Sequence, residues 1–179
     1  MEDVTGERRD RNCPLCAAGG AADFHEDRTR RYLRCAACRL IYVPADYHES
    51  MELAKTRYDL HRNSVDDAGY CAFLNRLAEP LSARLAPGAA GLDFGSGPGP
   101  TLSVLLERRG FRMAIYDPIY ADDKRLLDQA YDFVTCTETV EHFTGPAADW
   151  SRLVGLVKPR GWLGVMTWLY EEGRDFGRW

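Results

Sequence analysis

The sequence predicts an α/β protein in which a doubly wound, mostly parallel sheet with helices on both faces follows a small cysteine-rich module. Three observations carry this reading. From residue 91 onward short apolar runs alternate with helix-length segments; the first of those runs ends in the glycine turn "GLDFGSGPGP"; and two CxxC pairs stand near the N-terminus. A chain of 179 residues has room for one ordinary domain and a small module. Its hydrophobic fraction of 45% and charged fraction of 28% are those of a globular protein, and a net charge of -4 argues against a chain that is basic throughout and wraps nucleic acid. No run reaches the ~18 apolar residues of a membrane helix, and "MEDVTGERRDRN" lacks the apolar centre of a secretory signal. A cytoplasmic, reducing location is the expectation.

Residues 1–45 form the first module. Cys13 and Cys16 make one CxxC pair, Cys35 and Cys38 the other, at the separation of known zinc sites. A two-residue spacer lets a tight turn aim both thiolates at one ion, and two such turns complete a tetrahedral shell. Four cysteines therefore predict a closed, structural Zn2+. Disulfides do not persist in a reducing compartment, and two copies disfavour a redox CxxC. Zinc turns of this kind often carry Gly after the second Cys, whereas Ala17 and Arg39 stand here; His25 is a further donor. Cys71 and Cys136 lie outside the pattern and read as buried apolar residues. The stretch "DFHEDRTRRYLRC" predicts a hairpin with Phe24, Tyr32 and Leu33 as its few apolar residues, too little to fold without metal. Arg28, Arg30, Arg31 and Arg34 beside Tyr32 suit phosphates and bases and raise RNA as a partner. The plainer reading is a solvated hairpin whose charges are offset by Asp23, Glu26 and Asp27.

Residues 46–88 read as a helical linker or cap. The β-like run "LIYV" is closed by Pro44. Tyr70, Phe73, Leu74, Leu77, Leu81 and Leu85 recur every three or four positions, which predicts an amphipathic helix bent or restarted at Pro80. Tyr58, His61 and Asn63 are either a solvated helix face or a lid over a bound ligand.

Residues 89–179 alternate. A strand over 91–95 leads through the glycine turn into the helix "TLSVLLERRG", which Gly110 ends. "FRMAIYD" is a second strand, "KRLLDQA" a short helical piece and "YDFVTCTE" a third strand; "AADWSRLVGLV" is a helix stopped by "KPRG", and "WLGVMTWLY" a fourth strand. In the turn, Gly95, Gly97 and Gly99 let a ligand lie against bare backbone beside a helix start, while Pro98 and Pro100 restrict the same chain. Asp117 ends the next strand, where an acidic residue recognises ribose. The dinucleotide fingerprint wants a small residue where Pro100 stands. The turn predicts a nucleoside ligand without choosing which.

Four motifs in order then carry a resemblance. "GLDFGSGPG", "YDP", "YDFVTCTETVEHF" and "LVKPRGWLGVMT" resemble the class I S-adenosylmethionine-dependent methyltransferases, and with "RYDLHRN" the chain is similar to a bacterial family that carries an N-terminal zinc ribbon. The resemblance implies a Rossmann-like fold and S-adenosyl-L-methionine as cofactor. It implies that Asp93, Gly95, Ser96, Gly97, Pro98 and Gly99 surround the methionine part, that Asp117 receives the ribose hydroxyls, and that Pro118 and Ile119 lie by the adenine. Thr137 and Glu138 fall where this class contacts methionine or substrate, and Glu138 and His142 are the candidate bases. The acceptor stays open, a small molecule or RNA. An NAD(P)-dependent oxidoreductase is the rival enzyme, with Pro100 and "TETVEHF" against it; a zinc-ribbon binding module with a degenerate domain is the rival outside enzymes. The class usually follows "WLGVMTWLY" with two more strands, so a sheet shortened at its C-terminal end is expected, as is an abbreviated third strand between Asp117 and Tyr131.

Overall fold

A computed structural model describes residues 11–60 and 63–178. In chain order the elements are β1 (Ala22–Glu26), β2 (Arg31–Arg34), β3 (Ile41–Tyr42), α1 (Met51–Tyr58), α2 (Ala68–Ser82), β4 (Ala90–Phe94), α3 (Thr101–Glu107), β5 (Arg112–Tyr116), β6 (Tyr131–Thr137), α4 (Pro146–Gly155) and β7 (Val157–Met166). Contacts gather them into two units. One holds the chain up to Glu49 with Phe143–Asp149 and the segment from Trp168; the other holds Ser50–His142 and Trp150–Thr167.

In the first unit β1, β2 and β3 form an antiparallel sheet in that order. The hairpin tip is set by Asp27, whose carboxylate accepts the Thr29 N–H and hydroxyl at 2.7 Å each and the Arg30 N–H at 2.9 Å. Those donors, led by the Thr29 hydroxyl, hold its carboxyl well below the usual range. The segment after Trp168 returns to this sheet. Phe176 packs edge-on against Tyr32, Phe24 and His25 with ring centroids 4.9, 5.0 and 5.2 Å away, and Glu172 pairs with Arg34 and Arg39.

In the second unit the strand order is β5-β4-β6-β7, and every neighbouring pair is parallel. The sheet is flanked by helices. Leu74, Ala78 and Leu81 of α2 meet Leu102, Leu105 and Leu106 of α3, together with Phe111 and Phe133, in one apolar cluster. Gly91 is required here, because the Phe133 ring occupies the place its Cβ would take. The order turns at β4, with β5 on one side and β6 on the other. In sheets of this kind the loops leaving the carboxyl ends at such a turn diverge, and the crevice between them is the usual ligand position.

Four details differ from expectation. The linker makes two helices, each with its own cap: the Ser50 hydroxyl accepts the Leu53 N–H at 3.3 Å, and the Asp67 carboxylate accepts the Tyr70 N–H at 3.0 Å. The second runs on through Pro80 to Ser82 without restarting, since Pro80 is exposed in the final turn and forfeits only one backbone bond. The helix after the glycine turn ends at Glu107, and Gly110 takes its φ of 89° beyond it. "KPRG" lies inside β7, where Arg160 adopts a φ of 67° and the register jumps from Tyr131↔Val157 to Phe133↔Trp162. Between Asp117 and Tyr131 the chain makes a bridge from Asp117 to Ala121 and a 3-10 turn over Lys124–Asp128, an abbreviated passage in place of a third parallel strand. No helix among the described residues is long and apolar enough to cross a membrane.

Candidate functional site

The two cysteine turns have the same construction. The Ala17 N–H donates to the Cys13 carbonyl at 2.9 Å, and the Arg39 N–H donates to the Cys35 carbonyl at 3.0 Å. Ala17 and Arg39 take φ values of 59° and 65°, the conformation glycine adopts readily, so both turns form despite their side chains. The sulfurs of Cys13, Cys16, Cys35 and Cys38 all lie within 4.8 Å of one another, with Cys13 to Cys38 at 3.5 Å and Cys16 to Cys35 at 3.6 Å. Thiolates about 2.3 Å from a tetrahedral zinc stand about 3.8 Å apart, so the four fit that ion. Backbone N–H groups, first that of Cys38, pull the Cys35 thiol down, while Cys38 is pushed up, against the Leu40 N–H, by desolvation and the crowded neighbouring thiols, so the four share their protons as one cluster. His25 is outside this group; its ring packs on Phe176 and Tyr32. Of the arginines offered for RNA, Arg34 pairs with Glu172 and lies over the Phe24 ring, and Arg28 is exposed; the Tyr32 hydroxyl donates to Asp27 at 3.1 Å.

The crevice at the carboxyl ends of β4, β5 and β6 gathers most of the other candidates. Gly95 and Gly97 have φ values of 77° and 65°, and the place where a side chain on Gly97 would project is open. Gly95 also lies against the Thr139 side chain, and Gly99 against the Asn63 carbonyl, so neither admits a Cβ without displacement. The Gly95 and Ser96 N–H groups donate to the Tyr116 carbonyl at 2.8 and 3.2 Å, which ties the turn to the end of β5. Asp117 is 8% exposed, and its carboxylate accepts the N–H groups of Gly97 at 2.9 Å, Ile119 at 2.8 Å and Tyr120 at 3.1 Å. Pro118 is exposed beside it and Ile119 half-buried.

Asp93 is placed differently. It is 2% exposed beneath the turn, and its carboxylate accepts the Thr135 hydroxyl at 2.8 Å and the Ser103 hydroxyl at 3.2 Å. Burial pushes its pKa up to about 6 against the pull of those two donors.

At the end of β6, Thr137 is half-buried and Glu138 takes a φ of 49°, a strained conformation for a residue with a side chain. The Glu138 N–H donates to the Met166 carbonyl at 2.8 Å, which holds that conformation. Its Oε1 and the Ser96 hydroxyl are buried without a hydrogen-bond partner among the described residues. Buried oxygens left without a partner are uncommon in folded proteins and call for an explanation. Burial raises the Glu138 pKa, and Glu141 adds to the rise. His142 is exposed on the following turn, its ring edge-on to Tyr58 at 5.7 Å. His61 lies outside the described residues. Cys136 is buried, with its thiol pushed up to about 12 by desolvation, and Cys71 donates to the Val65 carbonyl at 3.4 Å; neither belongs to the four-cysteine group.

The sequence reading missed two residues here. Thr139 sits with its hydroxyl 3.2 Å from the Gly95 carbonyl and 2.9 Å from that of Thr137, joining two of the turns. Tyr70 is half-buried against the apolar cluster, and its pKa is raised by desolvation and then by the charges of Asp93 and Glu138. Its place in the apolar stripe of α2 made it read as core. A family model described as a methyltransferase domain matches residues 60–179. No curated protein matches the chain.

Proposed function

From the premise that this chain belongs to the methyltransferase-domain family, we propose that it transfers a methyl group from S-adenosyl-L-methionine to a nucleophilic acceptor, with a structural zinc held by Cys13, Cys16, Cys35 and Cys38. One observation carries the cofactor reading. Three loops at the switch point of a parallel sheet bring open glycine backbone, a ribose-competent aspartate and two unpartnered buried oxygens to one crevice.

The chain's own residues fit the group. Gly97 offers open backbone and Ser96 a hydroxyl without a partner to its amino-acid end, in a turn that Gly95 and Gly99 allow to pack closely on Thr139 and Asn63. Asp117 already accepts three N–H groups, and a carboxylate has about four acceptor positions. Release of the Gly97 N–H therefore leaves room for both ribose hydroxyls. Pro118 and Ile119 supply apolar contact beyond it. Asp93 acts from below, fixing α3 to β4 and β6 through Ser103 and Thr135. Bound S-adenosyl-L-methionine would supply a methyl group on a positively charged sulfur, a leaving group that needs no further activation. The protein's contribution is then to align the acceptor and exclude water. Glu138 Oε1, with its raised pKa, takes the proton an oxygen or nitrogen acceptor sheds; His142 is the second candidate, at the exposed rim.

Calorimetry of the zinc-loaded chain with S-adenosylhomocysteine is the test. Binding is expected, and Asp117→Ala weakens it at least about tenfold, the effect of losing hydrogen bonds to a charged group. Binding of NADH in its place would assign the crevice to a nicotinamide cofactor instead.

A further inference from the structure

Helix α1 has no buried residue, and Met51 and Leu53 are 54% and 57% exposed, so apolar burial does not hold it in place. Side-chain contacts at its C-terminal end, and a backbone contact just beyond it, meet the loops of the sheet. Asp59, at its C-terminal end, accepts the Tyr120 hydroxyl at 2.7 Å and the Lys55 ammonium at 2.7 and 2.9 Å on its two oxygens. The same ammonium lies 5.2 Å from the centre of the Tyr120 ring. Tyr58 meets the His142 ring edge-on, and the Asn63 carbonyl lies against Gly99. The three contacts fall on the three loops of the crevice, after β5, β6 and β4 in turn.

Tyr120 links the helix to the crevice chemically. Its backbone N–H donates to the Asp117 carboxylate at 3.1 Å while its hydroxyl donates to Asp59. Desolvation, with the Asp59 bond next, pushes the phenol up to about 12, so it stays a donor. Resting on the cofactor reading above, we infer that Asp59 and Tyr120 are a latch that holds α1 across the crevice, and that opening it limits escape of the bound nucleoside. A group that settles on Asp117 steadies the Tyr120 turn, and that turn in turn holds α1 closed. An element that buries no side chain opens at low cost, as a gate must.

The full, zinc-loaded chain tests this with two readouts. Tyr120→Phe keeps the ring and removes only the hydroxyl. In the free protein it speeds amide hydrogen exchange within α1 about three- to tenfold, the loss of one charge-assisted hydrogen bond at a partly exposed site. Dissociation of S-adenosylhomocysteine speeds up by a similar factor, with association little changed. Asp59→Ala does the same, and the double variant is no worse than the worse single, because both remove one bond. Unchanged α1 exchange in Tyr120→Phe overturns the latch whatever the crevice binds. Additive losses in the double variant overturn it too. A wild-type chain that binds no S-adenosylhomocysteine overturns the cofactor reading, and with it the latch's role in retaining that ligand.

Discussion

In the sheet unit Leu74, Ala78, Leu102, Leu106 and Phe133 close one apolar cluster, whereas among the described residues of the ribbon unit the buried apolar ones are Cys13, Ala21, Leu33, Cys35 and Pro44. The sheet unit's stability comes from apolar area taken out of water; on the proposed zinc, the ribbon unit's comes from what its thiols bind and from rings contributed by a distant part of the chain. Burial of this kind persists in any buffer that keeps water out of the core. A metal-dependent fold follows the free metal concentration by mass action. On the proposed zinc, one chain would contain two stabilities that answer to different conditions.

Chelation is expected to separate them most widely. Removal of zinc, or Cys35→Ser, abolishes the ribbon's protected amides while the exchange pattern of β4 and β6 survives, as hydrogen exchange with mass readout will report. Loss of both together would mean that the sheet unit also depends on the metal. Next in size is Phe133→Ala, which empties the centre of the apolar cluster and lowers denaturant stability of the sheet unit by about 3–5 kcal/mol. Zinc affinity measured by competition with a chromogenic chelator stays unchanged. Smallest is Phe176→Ala. Each aromatic pair it breaks is worth about 0.5–1.5 kcal/mol beyond area, so residues beyond Trp168 become sensitive to protease while zinc stays bound. A tail that stays resistant would show that Glu172 with Arg34 and Arg39 is sufficient to hold it.

The same division governs what could be read from the sequence. The cysteine turns and the glycine turn are local, a few consecutive residues whose geometry follows from spacing and chirality, and their conformations stand where the spacing puts them. Ala17 and Arg39 were a departure on paper that the backbone absorbed with two positive φ angles. Sheet class was legible because apolar runs alternate with helix-length segments. Long-range relations were not. Nothing near Phe24 or Tyr32 announces that Phe176 will cover them, and Glu172 carries no sign of Arg34 and Arg39. Asp93 was placed among the ligand residues by the resemblance, and its packing was not legible beside it. Strand alternation puts it on the face with Gly91, where α3 and β6 meet it with Ser103 and Thr135. Glu138 was legible as a candidate but its strain was not, since a φ of 49° depends on the Met166 carbonyl that receives its N–H. Pro80 and "KPRG" misled for one reason: a breaker residue marks a backbone constraint, and tertiary context decides whether the element ends there.

The measurement closest to the central claim is hydrogen exchange of the zinc-loaded chain with and without saturating S-adenosylhomocysteine. The account predicts added protection at Gly95–Gly99, at Ile119 and Tyr120, and at Glu138, the three loops at the carboxyl edge, with the ribbon's amides unaltered. Protection confined to other segments, or no change at any ligand concentration, would contradict it.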